Sequence, residues 1–137
     1  MRDLYHNIAV SQPLNPVVSS TTKTSSAIDL QGFESAVVLF SVGLSGDTLS
    51  GSVYWTLKLQ HSDDNSTYTD IAASDNSAGV ATVVIDAAAE DEVAVVFGYV
   101  GSKRYLKALA TPTGTHTNGT PIGMIALRGN ATYLPAA

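Results

Sequence analysis

The chain has 137 residues, of which 45% are hydrophobic and 14% charged, with a formal net charge of −5 and no cysteine. Its length fits one domain, and its low charge density argues against a disordered tail or a solvated coiled coil. The missing cysteines exclude disulfides, thiolate metal sites and cysteine nucleophiles. The acidic balance, relieved only by the small cluster Lys103, Arg104 and Lys107, argues against a phosphate-neutralising surface for nucleic acid.

The opening residues Met1 to Asn7 lack the apolar run of a signal peptide, and no stretch approaches the roughly 20 apolar residues of a membrane span. Synthesis in the cytoplasm is expected, and the N-x-S/T sequons at Asn65, Asn118 and Asn130 are read as chance in a chain rich in Ser and Thr. Residues 1–26 carry Pro13 and Pro16 and end in a polar Ser/Thr run, which breaks any regular periodicity. They also carry Leu4, Tyr5, Ile8, Val10, Leu14, Val17 and Val18, too many apolar groups to leave in water. The segment reads as an arm or an extended edge strand, and of the two an extended N-terminal arm that packs on something is expected, ahead of a β-sandwich domain over residues 27–137.

Ala27 to Leu30 predicts a short strand. Ser35 to Val42 is a near-continuous apolar run, which suits a strand covered on both faces. After turn chemistry at Gly43 to Ser50, the stretch Ser52 to His61 alternates, with Val53, Trp55, Leu57 and Leu59 on one face. That period of two directs Trp55 into the core. Ser62 to Asn65 predicts a turn, and Tyr68 to Ile71 and Val80 to Ile85 two further strands. Asp86 to Glu92 is Ala-rich and acidic and suits a single helical turn. Strands follow over Glu92 to Val100, Lys103 to Ala110 and Pro121 to Arg128. The sum is about eight short strands joined by Gly, Asn, Asp and Ser turns, an all-β, single antiparallel β-sandwich of jelly-roll-like form.

No motif supports catalysis. His6, His61 and His116 lack metal-ligand spacing, no Ser sits in a G-x-S-x-G elbow, and the acidic run Glu90 to Glu92 has the character of solvated charge. Asp63, Asp64, Asn65 and Asp70 form a loose calcium-like loop without the EF-hand Gly and terminal Glu. No catalytic, cofactor or metal residue is therefore assigned. Tyr54, Tyr68, Tyr99 and Tyr105 are expected to project outward, where a ring with a polar tip suits an interface.

Two stretches carry a resemblance: Leu57-Lys58-Leu59-Gln60-His61-Ser62-Asp63-Asp64-Asn65-Ser66-Thr67-Tyr68-Thr69-Asp70-Ile71, and Gly98-Tyr99-Val100-Gly101-Ser102-Lys103-Arg104-Tyr105-Leu106-Lys107-Ala108. With Met1 to Tyr5 and Asp29 to Val38, they resemble a family of small proteins of tailed bacteriophages and prophages encoded among the head genes. The resemblance implies a virion structural protein, a capsid decoration or cement protein on the outer head surface. Its implied partners are the major capsid protein and itself, as a homotrimer at quasi-threefold junctions, with no enzyme activity, nucleic acid, membrane or cofactor. Arg2, Tyr5 and His6 at the arm tip, and Tyr54, Tyr99, Lys103, Arg104 and Tyr105 on the domain, are the candidate contacts. Deleting residues 1–26 is expected to spare folding and weaken attachment. A carbohydrate-binding jelly roll on the virion and a head-to-tail or tail component remain as alternatives.

Overall fold

The computed structural model describes residues 3–136. Apart from two 3-10 turns, at Tyr5–Asn7 and Ala73–Asp75, its regular elements are strands: β1 (Ile8–Ser19), β2 (Lys23–Thr24), β3 (Ile28–Asp29), β4 (Phe33–Val42), β5 (Tyr54–Ser62), β6 (Thr69–Asp70), β7 (Thr82–Ile85), β8 (Val93–Tyr99), β9 (Tyr105–Thr113) and β10 (Thr120–Ala131). All pairings are antiparallel. A four-stranded sheet runs β1-β10-β4-β8, and a second runs β2-β9-β5-β6, with β3 also on β9 and β7 also on β5.

Both short pairs are single strands interrupted. β2 and β3 lie end to end along β9, and the buried Ser25 spans their break by exchanging bonds with Ala108: its N–H donates to the carbonyl and its hydroxyl accepts from the amide, each at 2.9 Å. β6 and β7 likewise share one side of β5. Counted this way there are eight strands in two sheets, with the first and last strands adjacent, which is the strand order of a jelly roll. The all-β sandwich expected from the alternation is present.

The core lies between the inner faces. Val38 and Phe40 of β4, Phe97 of β8 and Ile122, Met124 and Ala126 of β10 oppose Trp55, Leu57 and Leu59 of β5 and Leu106, Ala108 and Ala110 of β9. Phe40 and Phe97 meet edge-on with ring centroids 5.5 Å apart. Trp55 is fully buried, as its place in the alternation required, and its indole N–H donates to the Thr120 hydroxyl at 3.0 Å.

Two expectations need correction. Residues 8–19 are no separate arm: β1 pairs with β10 along its length, Ala9 and Ser19 are buried, and Leu14 packs on the core. The prolines are accommodated because β1 is an edge strand and because one extra residue bulges on each side of Leu14, near Pro13 and Pro16. Asp86 to Glu92 forms turns and bends in place of a helical turn, and Asp91 points inward to accept a bond from the Ser45 N–H at 3.0 Å.

Trp55→Ala should therefore destabilise the fold by about 3–5 kcal/mol in chemical denaturation, because it leaves a cavity and removes the bond that ties β5 to Thr120. Deleting residues 1–26 should yield a chain without the cooperative unfolding transition of the full protein, since it strips β1 from β10 and β2 from β9; a cooperative transition in the truncated chain would show that β1 is dispensable.

Candidate interaction surface

The two sheets differ sharply on their solvent faces. On the β5–β9 sheet the outward positions are mostly polar, for example Lys58 and Gln60 on β5 and Lys107 and Thr111 on β9, with Leu109 and Val84 the aliphatic exceptions. On the four-stranded sheet the outward positions are uncharged and mostly apolar, with Ser35 and Ser41 of β4 the polar exceptions. One cross-strand row reads Val10, Leu127, Val37, Gly98; the next reads Ile125, Leu39, Val96; a third reads Gly123, Ser41, Ala94. Pro16 lies directly over Gly123, where a Cβ would meet it at 3.1 Å, and Val18 opposite Pro121 extends the surface. No charged residue occupies any of these positions. Val10 is 60% exposed and Val96 49%, while Val37, Leu39, Ile125 and Leu127 are half-buried by one another.

β4 is thus apolar on both faces but covered on one. The run Ser35 to Val42 predicted cover on both sides; Val38, Phe40 and Val42 have it, and Val37 and Leu39 do not. Contiguous apolar surface of this kind, depleted of charge, is characteristic of the centre of interaction sites.

The individual contact residues expected from sequence fall in three places. Arg2 lies outside the described residues. Tyr5 and His6 sit exposed on the 3-10 turn before β1, where the Asp3 carboxylate meets the His6 ring at 2.5 Å. The His6 carbonyl accepts from the Ala136 N–H at 2.9 Å, and this draws the C-terminal segment, with Tyr133 and Leu134 exposed, to the same end of the molecule. Tyr54 is half-buried at the start of β5.

Tyr99 is a correction: it faces inward and is buried. Its hydroxyl meets His61 Nδ1 at 3.1 Å and accepts from the Lys103 N–H at 3.0 Å, and burial pushes its phenol upward in pKa. Two residues before it, Phe97 has the same inward parity, so Tyr99 was bound to follow. Lys103 and Arg104 line an open groove of about 700 Å³ between Leu30–Ala36 and Tyr99–Arg104, but both cations are paired. Lys103 bonds Asp63, and Arg104 forks onto Asp29 at 2.9 and 2.8 Å, which holds the Asp29 carboxyl below its ordinary range. Arg104 also stacks over the Tyr105 ring, and Lys107 over Tyr68, at 4.8 and 4.3 Å. On Tyr105 and Tyr68 a cation thus covers one ring face that could otherwise stack a sugar.

The loop carboxylates are engaged within the protein. Asp64 accepts from the N–H groups of Thr67 and Ser66 at 2.9 Å and from the Ser62 hydroxyl at 2.8 Å; Asp70 takes Lys58 and Gln60. Asp47 draws together the N–H groups of Thr117, Asn118 and Gly119. His116, read as a loop residue, has its side chain packed against Trp55 with centroids 5.1 Å apart. Among the described residues, no three side chains of His, Asp or Glu gather as a metal site.

No protein-family model matches the chain, and no curated protein matches it.

The Asp64 bonds hold its carboxyl down to about 2, from an ordinary 3.8, with the Thr67 N–H the largest cause. A depressed carboxylate stabilises the fold above its unfolded pKa, and that contribution is lost as pH falls through the folded value. The melting temperature should drop between pH 4 and pH 2, and by less in Asp64→Ala. Carboxyl titration by NMR should place the Asp64 midpoint near 2; a midpoint near 3.8 would mean that the turn is not formed.

Proposed function

We propose that this chain is a virion structural protein, a decoration or cement protein that binds the outer surface of a tailed-phage head and stabilises contacts between major capsid subunits. The observation that carries the proposal is the uncharged apolar outer face of the β1-β10-β4-β8 sheet. A protein of net charge −5 that keeps every charge off one sheet face has a surface suited to lie against another protein. The likeness of its sequence to head-gene products, and a sandwich of the jelly-roll kind that capsid proteins use, point the same way.

The mechanism is one of binding. Val37, Leu39, Ile125 and Leu127 lie at the centre of the face and supply the apolar contact, which is worth about 25 cal/mol per Å² of apolar area removed from water. Tyr5, Tyr133 and Leu134, exposed where the chain ends converge, extend contact to a neighbouring subunit. Many copies on one shell then act together, so that modest single affinities give firm attachment.

The test mixes purified protein with emptied heads that lack it. Saturable binding at a fixed ratio to the major capsid protein is expected, and Leu39→Glu should weaken it at least about 100-fold, the effect of placing an unpaired charge in a desolvated contact. Lys107→Glu on the opposite sheet should leave binding unchanged. Failure of the wild type to bind, or equal binding by Leu39→Glu with its fold intact, would refute the proposal.

A further inference from the structure

The sheet edges are not treated alike. β1 is blunted by two prolines and two bulges, and the opposite sheet ends on strands broken into pieces, β2 with β3 and β6 with β7. Such devices keep an edge from pairing with another chain. β8 has none of them over its first half.

Its second half is closed by the loop after the Ala73–Asp75 turn. The Gly98 N–H donates to Asn76 Oδ1 at 3.1 Å, the Gly98 carbonyl accepts from the Ser77 N–H at 2.8 Å, and the Val100 N–H donates to the Asp75 carbonyl at 2.8 Å. Gly98 therefore turns both backbone groups away from β4. Strand alternation turns the N–H and C=O of Val96 and Ala94 the same way, and among the described residues nothing pairs with them. Val93, Ala94 and Val96 are exposed.

We infer that this edge pairs with the same edge of a second copy, antiparallel about a two-fold axis at Val95. Ala94 of one copy then faces Val96 of the other, and each such pair exchanges both N–H to carbonyl bonds; the axis makes two of these pairs. Three features commit the edge to a second copy. Its open groups are placed symmetrically about Val95, so the surface is complementary to itself, as a two-fold interface must be. From Val93 to Val100 there is no charged residue, so the paired stretch itself brings no like charges of the two chains together, the exposed Glu92 lying just outside it. The loop at Asn76 and Ser77 fixes the register by blocking any slide towards Gly98.

The pairing is short. Five residues span about 17 Å, well under the extent of a standard interface, so the dimer should form in the micromolar range and depend on concentration. It would merge two four-stranded sheets into one, with both apolar faces on the same side. The two-fold stands in place of the threefold association that the resemblance implies, and it does not rest on attachment to a shell.

Sedimentation equilibrium from about 1 µM to about 1 mM, a span covering weak to firm association, should show the 14.2 kDa chain passing to a dimer. Hydrogen exchange should find the Ala94 and Val96 amides protected at the high end and fast at the low end. Val96→Pro removes an edge donor without touching the bonds to β4 and should stay monomeric, whereas the β-branched Val96→Thr should still dimerise. A monomer throughout, a trimer, a Val96→Pro protein that still dimerises, or rapid exchange at Ala94 and Val96 in a wild-type dimer would overturn the inference. If Val96→Pro does not fold, the wild-type exchange pattern decides.

Discussion

Trp55 spans the gap between the two sheets and fixes which way every neighbouring strand faces. It sits on β5, yet its indole N–H is satisfied by Thr120 on β10 of the other sheet, and Thr120 in turn meets the Ser45 hydroxyl at 2.9 Å. A buried indole N–H without a partner would cost a large part of what burying the ring contributes. The bond thus ties the inward parity of β5 to that of β10. With Trp55 inward, Leu57 and Leu59 follow and Lys58 and Gln60 face water. With Thr120 inward, Ile122, Met124 and Ala126 follow, and Ile125 and Leu127 are forced outward.

The same parity passes through the ladder to β4, where Val37 and Leu39 are left facing out beside Ile125 and Leu127. The apolar outer face is therefore a consequence of how the core is registered, and slipping β10 by one residue to hide it would expose the core instead. A sheet in this position has two ways to be covered, by its own chain or by another. No element of the described chain crosses it except Pro16 over Gly123. The proposal of attachment follows from that imbalance, and the polar opposite sheet, with its paired cations, serves as the solvated side.

Much of this was legible in the residues. The alternation at Ser52 to His61 located β5 and its buried Trp55, and the run Ser35 to Val42 located β4 and signalled cover on both faces. What escaped was decided by contacts distant in sequence. β1 looked like an arm because its prolines and bulges erase the period of two, and only β10, more than a hundred residues later, shows it to be a strand. Tyr99 looked outward because Tyr usually does, yet His61 and the Lys103 amide satisfy its hydroxyl inside. The outer face itself is assembled from four strands whose order no local pattern reveals. Its nearest signal was the double parity of β4.

The measurement that bears most directly on the central claim is side-chain footprinting of the protein free and bound to heads. Val37, Leu39, Ile125 and Leu127 should lose labelling on attachment while Lys58, Lys107 and Thr111 keep theirs. Protection of the β5–β9 face, with the apolar face still labelled, would contradict the account.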